Sequence, residues 1–160
     1  MSRLIRWWNL YFLFYEVVIS LLAASLLLVW VTKLGGSVAV NSILNGNRSA
    51  IYGALASIFG TLLGFVITAL SIIIGYSASE KFEFLKKQKH YSTLWDVLIK
   101  TIRALSWATV AMIIGLIFDR DSSPNNIIFC FCAYTALLSL LRLWSCIWVL
   151  ENVIRIIITV

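Results

Sequence analysis

Four long apolar runs separated by short polar stretches make up most of this 160-residue chain. They cover about Leu10–Thr32, Ile51–Tyr76, Thr101–Phe118 and Ile127–Leu150. A hydrocarbon core about 30 Å thick is crossed by roughly 20 mainly apolar residues in a helix, so each run predicts a transmembrane helix. The third is short and would span with little tilt. Runs of this length also speak against a β-barrel, whose strands alternate apolar and polar positions over ten or so residues. A helix satisfies its own backbone hydrogen bonds in lipid. The expected fold is therefore all-α: a polytopic membrane protein of four transmembrane helices, residues 1–160 forming a single membrane domain. Four helices are too few to enclose a pathway alone, and the expected assembly is a homo-oligomeric bundle.

The stretches between the runs refine this picture. Arg3, Arg6, Trp7 and Trp8 precede the first run, which is too long for the apolar region of a signal peptide and offers no small-residue cleavage site. It is expected to remain as an anchor. Gly35 to Ala50, GGSVAVNSILNGNRSA, carries turn chemistry. Its Asn47-Arg48-Ser49 fits a glycosylation sequon but lies almost against the membrane. Residues 77–100, SASEKFEFLKKQKHYSTLWDVLIK, form the only substantial polar segment, and Ser77 with Glu80 has capping-box spacing. Asp119–Asn126, DRDSSPNN, is a turn by composition.

Composition agrees with solvation by lipid. The chain is 61% hydrophobic and 12% charged, with mean hydropathy +0.95, whereas soluble domains are about half apolar and a quarter charged. The net charge of +6 matters less than where it sits. With the N-terminus inside, nine basic residues (Arg3, Arg6, Lys81, Lys86, Lys87, Lys89, Lys100, Arg103, Arg155) face the cytoplasm and three (Lys33, Arg48, Arg120) face out. The positive-inside rule then predicts a multi-pass protein of the inner (plasma) membrane with both termini cytoplasmic.

Little in the chain points to catalysis. It contains no Walker loop, HExxH, dinucleotide fingerprint or nucleophile elbow. His90 is the only histidine, and Cys130, Cys132 and Cys146 share one apolar run, where they read as small packing residues. No catalytic residue, cofactor or metal site is expected, and the chain is not expected to be an enzyme.

Three other features carry functional readings. Gly53, Ser57, Gly60, Gly64, Thr68, Ser71, Gly75 and Ala78 recur every three or four residues, which keeps small and hydroxyl side chains on one face of the second helix. Such a face serves close helix packing, as in Gly60 and Gly64 of GTLLG, or lines a narrow pathway when several copies assemble. Glu16 and Arg142 are ionisable residues inside apolar runs, each roughly 12 Å from the cytoplasmic boundary at about 1.5 Å per residue. They form an intramembrane ion pair, or Arg142 snorkels to headgroups and residues 142–160 lie on the membrane, or one of the charges serves an ion path. Lys81–Tyr91, KFEFLKKQKHY, sets Lys81, Lys86, Lys87, Lys89 and His90 among Phe82, Phe84 and Tyr91. Basic residues beside a bilayer contact anionic lipid headgroups. The same lysines with stacking aromatics also suit an anionic cytoplasmic ligand such as a nucleotide or oligonucleotide.

The run GFVITALSIIIGYSASEKFEFLKKQKHY, Gly64–Tyr91, passes from a small-residue helix straight into a lysine-rich segment. In this it resembles the small four-helix membrane components of bacterial antiphage defence systems, of the Hailong-channel and Kiwa-membrane-subunit kind. The resemblance covers about a third of the chain at best. It implies a homo-oligomer, a tetramer, whose opening depolarises an infected cell on a cytoplasmic cue. The second helix would then be the pore and Lys81–Tyr91 the sensor. The competing reading is a non-conducting membrane scaffold or sensor that binds a partner protein through the basic segment. A small transporter would need paired broken helices, and the second helix has no proline.

Overall fold

A computed structural model of the chain describes residues 3–76 and 89–158, all in helices and short connections: α1 (Arg3–Lys33), α2 (Gly36–Leu44), α3 (Arg48–Tyr76), α4 (Lys89–Phe118) and α5 (Asn126–Ile158). Four of the helices are long and apolar enough to cross a bilayer, over Phe14–Lys33, Arg48–Gly75, Leu94–Phe118 and Asn126–Glu151. That is the composition of a multi-pass membrane protein.

Three boundaries differ from those read off the sequence. The Gly- and Asn-rich stretch after the first run holds a fifth, short helix, α2, between Gly35 at φ 73° and Gly46 at φ 74°. Only glycine takes this left-handed backbone at little cost, so the two residues that looked like loop chemistry are the hinges of a helix. Val40 and Leu44 of α2 bury against Val31 of α1 and Cys130 of α5. The third span is not short: α4 begins at Lys89 and its apolar part runs 25 residues from Leu94. Asp96 and Lys100 interrupt the apolar run but are both exposed, one helical turn apart, so they continue the helix on its outer face. The helix of the fourth span, α5, runs unbroken through Arg142 to Ile158.

The spans pack in the order α3, α4, α5, α1, with α2 tucked against α1. Accordingly α4 is the most buried span and α3 the least. The contacts follow heptads. Tyr52, Phe59, Val66 and Ile73 recur every seven residues along the packed side of α3. On α4 the corresponding positions are Leu94, Thr101, Ala108 and Gly115. On α5 the buried positions from Cys132 onward are Cys132, Thr135, Ser139, Arg142, Cys146 and Val149, alternately three and four apart. A seven-residue repeat of this kind keeps two helices in register at a shallow left-handed crossing.

Apolar burial gives little drive between helices already in lipid, so small residues and interhelical hydrogen bonds carry the association. The α4–α5 seam supplies both. Ser139 Oγ donates to the Ala104 carbonyl at 3.0 Å and Cys132 Sγ to that of Ala111 at 3.2 Å. All three cysteines are free thiols buried in packing positions. At Gly115 the approach is close, for a Cβ there would stand 2.9 Å from the Tyr52 ring of α3 and 3.0 Å from Cys132 Sγ of α5. Gly115→Ala is therefore expected to destabilise the protein by about 1–3 kcal/mol through overpacking. Gly64→Ala, with nothing within 4 Å of the added atom, should be neutral or slightly stabilising. Thermal unfolding of the two variants in detergent distinguishes these outcomes.

Candidate functional site

The small-residue face of α3 points away from the rest of the chain. Ser57, Gly64, Thr68, Ser71 and Gly75 are exposed, and Gly53 and Gly60 half-buried. At 3.6 residues per turn this face lies roughly 150° around α3 from the Tyr52–Ile73 seam. A Cβ at Gly53, Gly64 or Gly75 meets nothing within 4 Å, and one at Gly60 meets only Thr109 Cγ2 at 4.0 Å. Among the described residues, then, little packs against this face beyond Thr109 beside Gly60. Along it the hydroxyls of Thr61, Thr68 and Ser71 donate to the carbonyls of Ser57, Gly64 and Ile67 at 2.8, 2.9 and 2.9 Å. Each keeps its donor satisfied in a water-poor medium and leaves oxygen lone pairs outward. Thr61 belongs to this polar edge although its spacing sets it beside the Gly53–Gly75 stripe.

Arg142 and Glu16 come together, Nη1 lying 2.9 Å from Oε2, with the two residues 7% and 8% exposed. Ser145, one turn beyond Arg142, donates its hydroxyl to Glu16 Oε1. Ser20, one turn from Glu16, is fully buried. α1 therefore meets α5 through a charged pair and small residues, and Arg142 points into the bundle rather than toward headgroups.

A second buried pair was not anticipated from the sequence. Arg48 and Asp119 are 2% and 1% exposed, with Arg48 Nη1 2.5 Å from Asp119 Oδ2. The same carboxylate oxygen accepts from Tyr52 Oη at 2.6 Å, and Oδ1 accepts the backbone N–H of Asn125 at 2.7 Å. Arg48 Nη2 donates to Asn41 Oδ1 of α2 at 2.5 Å. One carboxylate thereby joins α2, α3, α4 and the start of α5, where Asn125 caps the helix by accepting from the N–H of Ile127 at 3.1 Å. Each charge is ill placed on its own helix, a cation opening α3 and an anion just past the end of α4. The helices are antiparallel, so Arg48 sits at the carbonyl end of α4 and Asp119 at the free N–H end of α3, where the dipoles favour them. The pair is complementary only when α3 and α4 are docked. Arg48, Asp121, Asn41, Ser42, Asn45 and Pro124 also line a polar cleft of about 280 Å³ beside it.

Of the proposed ligand-contact residues, Lys81, Lys86 and Lys87 lie outside the described residues, as do Ser77 and Glu80. Lys89, His90 and Tyr91 form the first turn of α4. Among the described residues, no three His, Cys, Asp or Glu side chains gather as a metal site requires. Comparison of the chain with protein families, with curated proteins and with solved structures gives no match.

Proposed function

We propose that this chain is the subunit of a homo-oligomeric ion-conducting pore of the inner membrane. Its N- and C-termini are cytoplasmic, and α3 lines the pathway. The observation that carries the reading is the open face of α3, from Gly53 to Gly75, where a Cβ at Gly53, Gly64 or Gly75 would meet nothing within 4 Å among the described residues and Thr68 and Ser71 are exposed. α3 stands at one end of the row of spans, and a second, third and fourth copy of that face around an axis would enclose a narrow, uncharged, oxygen-lined path. The lysine-rich segment Lys81–Tyr91 follows α3 directly in sequence. It is the natural receiver of an anionic cytoplasmic signal, a nucleotide or oligonucleotide. An effector role in antiphage defence rests on the resemblance of Gly64–Tyr91 alone.

Reconstituted in liposomes, the wild-type chain should pass monovalent ions, and Gly64→Leu or Thr68→Leu should abolish the flux. Neither position packs within the chain, so both variants should unfold at the wild-type temperature. Flux that survives both substitutions removes α3 from the pathway. Absence of flux from the wild type, together with capture of a partner through the lysine segment, favours the scaffold reading.

A further inference from the structure

The outer face of α4 holds two cations where lipid should be. Lys100 and Arg103 are exposed three residues apart, and Trp107, one turn beyond Arg103, is 67% exposed. Asp119 marks the far end of this span. Arg103 is sixteen residues from it, about 24 Å along a helix at about 1.5 Å per residue, inside a hydrocarbon layer about 30 Å thick. The hydrogen bonds of the α4–α5 seam fix the same level independently. Thr101 Oγ1 approaches the Arg142 carbonyl at 3.4 Å and Ser139 donates to Ala104, which sets Arg103 level with the buried Arg142–Glu16 pair. Two arginines thus occupy one depth of the bundle, one turned inward onto a carboxylate and the other outward.

An outward guanidinium at this depth is costly to leave in hydrocarbon. Asp96 stands one turn from Lys100 on this face, but Arg103 has no carboxylate one turn away on its own helix, its neighbours there being Ile99, Lys100, Ser106 and Trp107. Its side chain is long enough to reach the phosphate level along the helix surface, where Lys100 stands one turn nearer the headgroups. A single phosphodiester between them would meet both cations, with the Trp107 indole one turn deeper among the acyl chains. We propose that Lys100 and Arg103 form a site for the headgroup phosphate of one anionic phospholipid per subunit, separate from the Lys81–Tyr91 segment.

Native mass spectrometry of the full chain, titrated with phosphatidylglycerol and phosphatidylcholine of equal acyl length, tests the site. Two juxtamembrane cations should favour the anionic lipid at the first binding step by roughly 30-fold. Lys100→Gln with Arg103→Gln should erase that preference, Lys100→Arg with Arg103→Lys should keep it, and Lys86→Gln, Lys87→Gln and Lys89→Gln together should keep it as well. Inorganic phosphate should not displace the lipid, and full displacement would identify a free-phosphate site instead. The proposal is overturned if the glutamine pair retains the preference. It is equally overturned if that pair changes the oligomer mass, which would make this face a subunit interface. None of these readouts depends on ion flux, so the site stands or falls apart from the pore.

Discussion

Asp119→Ala is expected to destabilise the protein by about 3–5 kcal/mol, the usual cost of removing one partner of a buried ion pair. The substitution strands the Arg48 guanidinium, which is 2% exposed. It also takes the acceptor from Tyr52 Oη and from the Asn125 N–H. Asp119→Asn keeps the shape and two acceptor lone pairs but loses the charge, and should fall between. Asp121→Ala is the control: its carboxylate is 3.8 Å from Arg48 Nε and well exposed, and such pairs contribute about 0–1 kcal/mol. Replacing both partners, Arg48→Met with Asp119→Leu, should recover much of what Asp119→Ala loses, because an apolar pair leaves no buried charge behind. Thermal or denaturant unfolding in detergent reads all four variants. Equal losses for Asp119→Ala and Asp121→Ala would show that the buried pair is not the tie it is drawn to be.

Neither partner of this tie stands out in the sequence. Arg48 looked like the middle of a sequon and Asp119 like the first residue of a turn, because each was judged by its neighbours in the chain. They flank the start of one apolar run and the end of the next. Antiparallel packing of consecutive spans brings those two ends together, and that was the available signal. The spans themselves were legible, since twenty apolar residues in a row have one solution in lipid. The start of α4 was not, because Asp96 and Lys100 lower the local hydropathy without leaving the helix. Nor was α2, whose Gly35 and Gly46 read as loop until their left-handed backbone is seen to bracket a helix. The Gly53–Gly75 face was visible as a stripe of small residues. That it faces away from the chain's own packing could be learned only from the Tyr52–Ile73 heptad and from what α4 lays against it.

Glu16→Ala should undock α1, at a cost comparable to that of breaking the Arg48–Asp119 pair. The two ties act on different helices: Asp119 holds α3 to α4, whereas Glu16 and Arg142 hold α1 to α5. Among the described side chains of α1 the buried positions are Glu16, Ser20 and Val31, a poor set for apolar packing, and in lipid such packing brings little drive in any case. The ion pair and the Ser145 hydroxyl therefore decide the register of α1. Arg142→Ala should be the milder of the two single changes. Arg142→Ala leaves the carboxylate the Ser145 hydroxyl as a donor, whereas Glu16→Ala takes the shared acceptor from both Arg142 and Ser145. The double variant Glu16→Leu with Arg142→Leu should be less destabilised than Glu16→Ala alone, against the simple sum, because neither charge remains unpaired. Exchange of the charges, Glu16→Arg with Arg142→Glu, should restore part of the docking, the remainder reflecting the lost Ser145 contact. Cross-linking between cysteines introduced at Ala23 of α1 and a facing position of α5 reports docking directly, and unfolding in detergent reports its energy. If the double-leucine variant loses the sum of the two single losses, the charges act independently and the register of α1 comes from the rest of the seam.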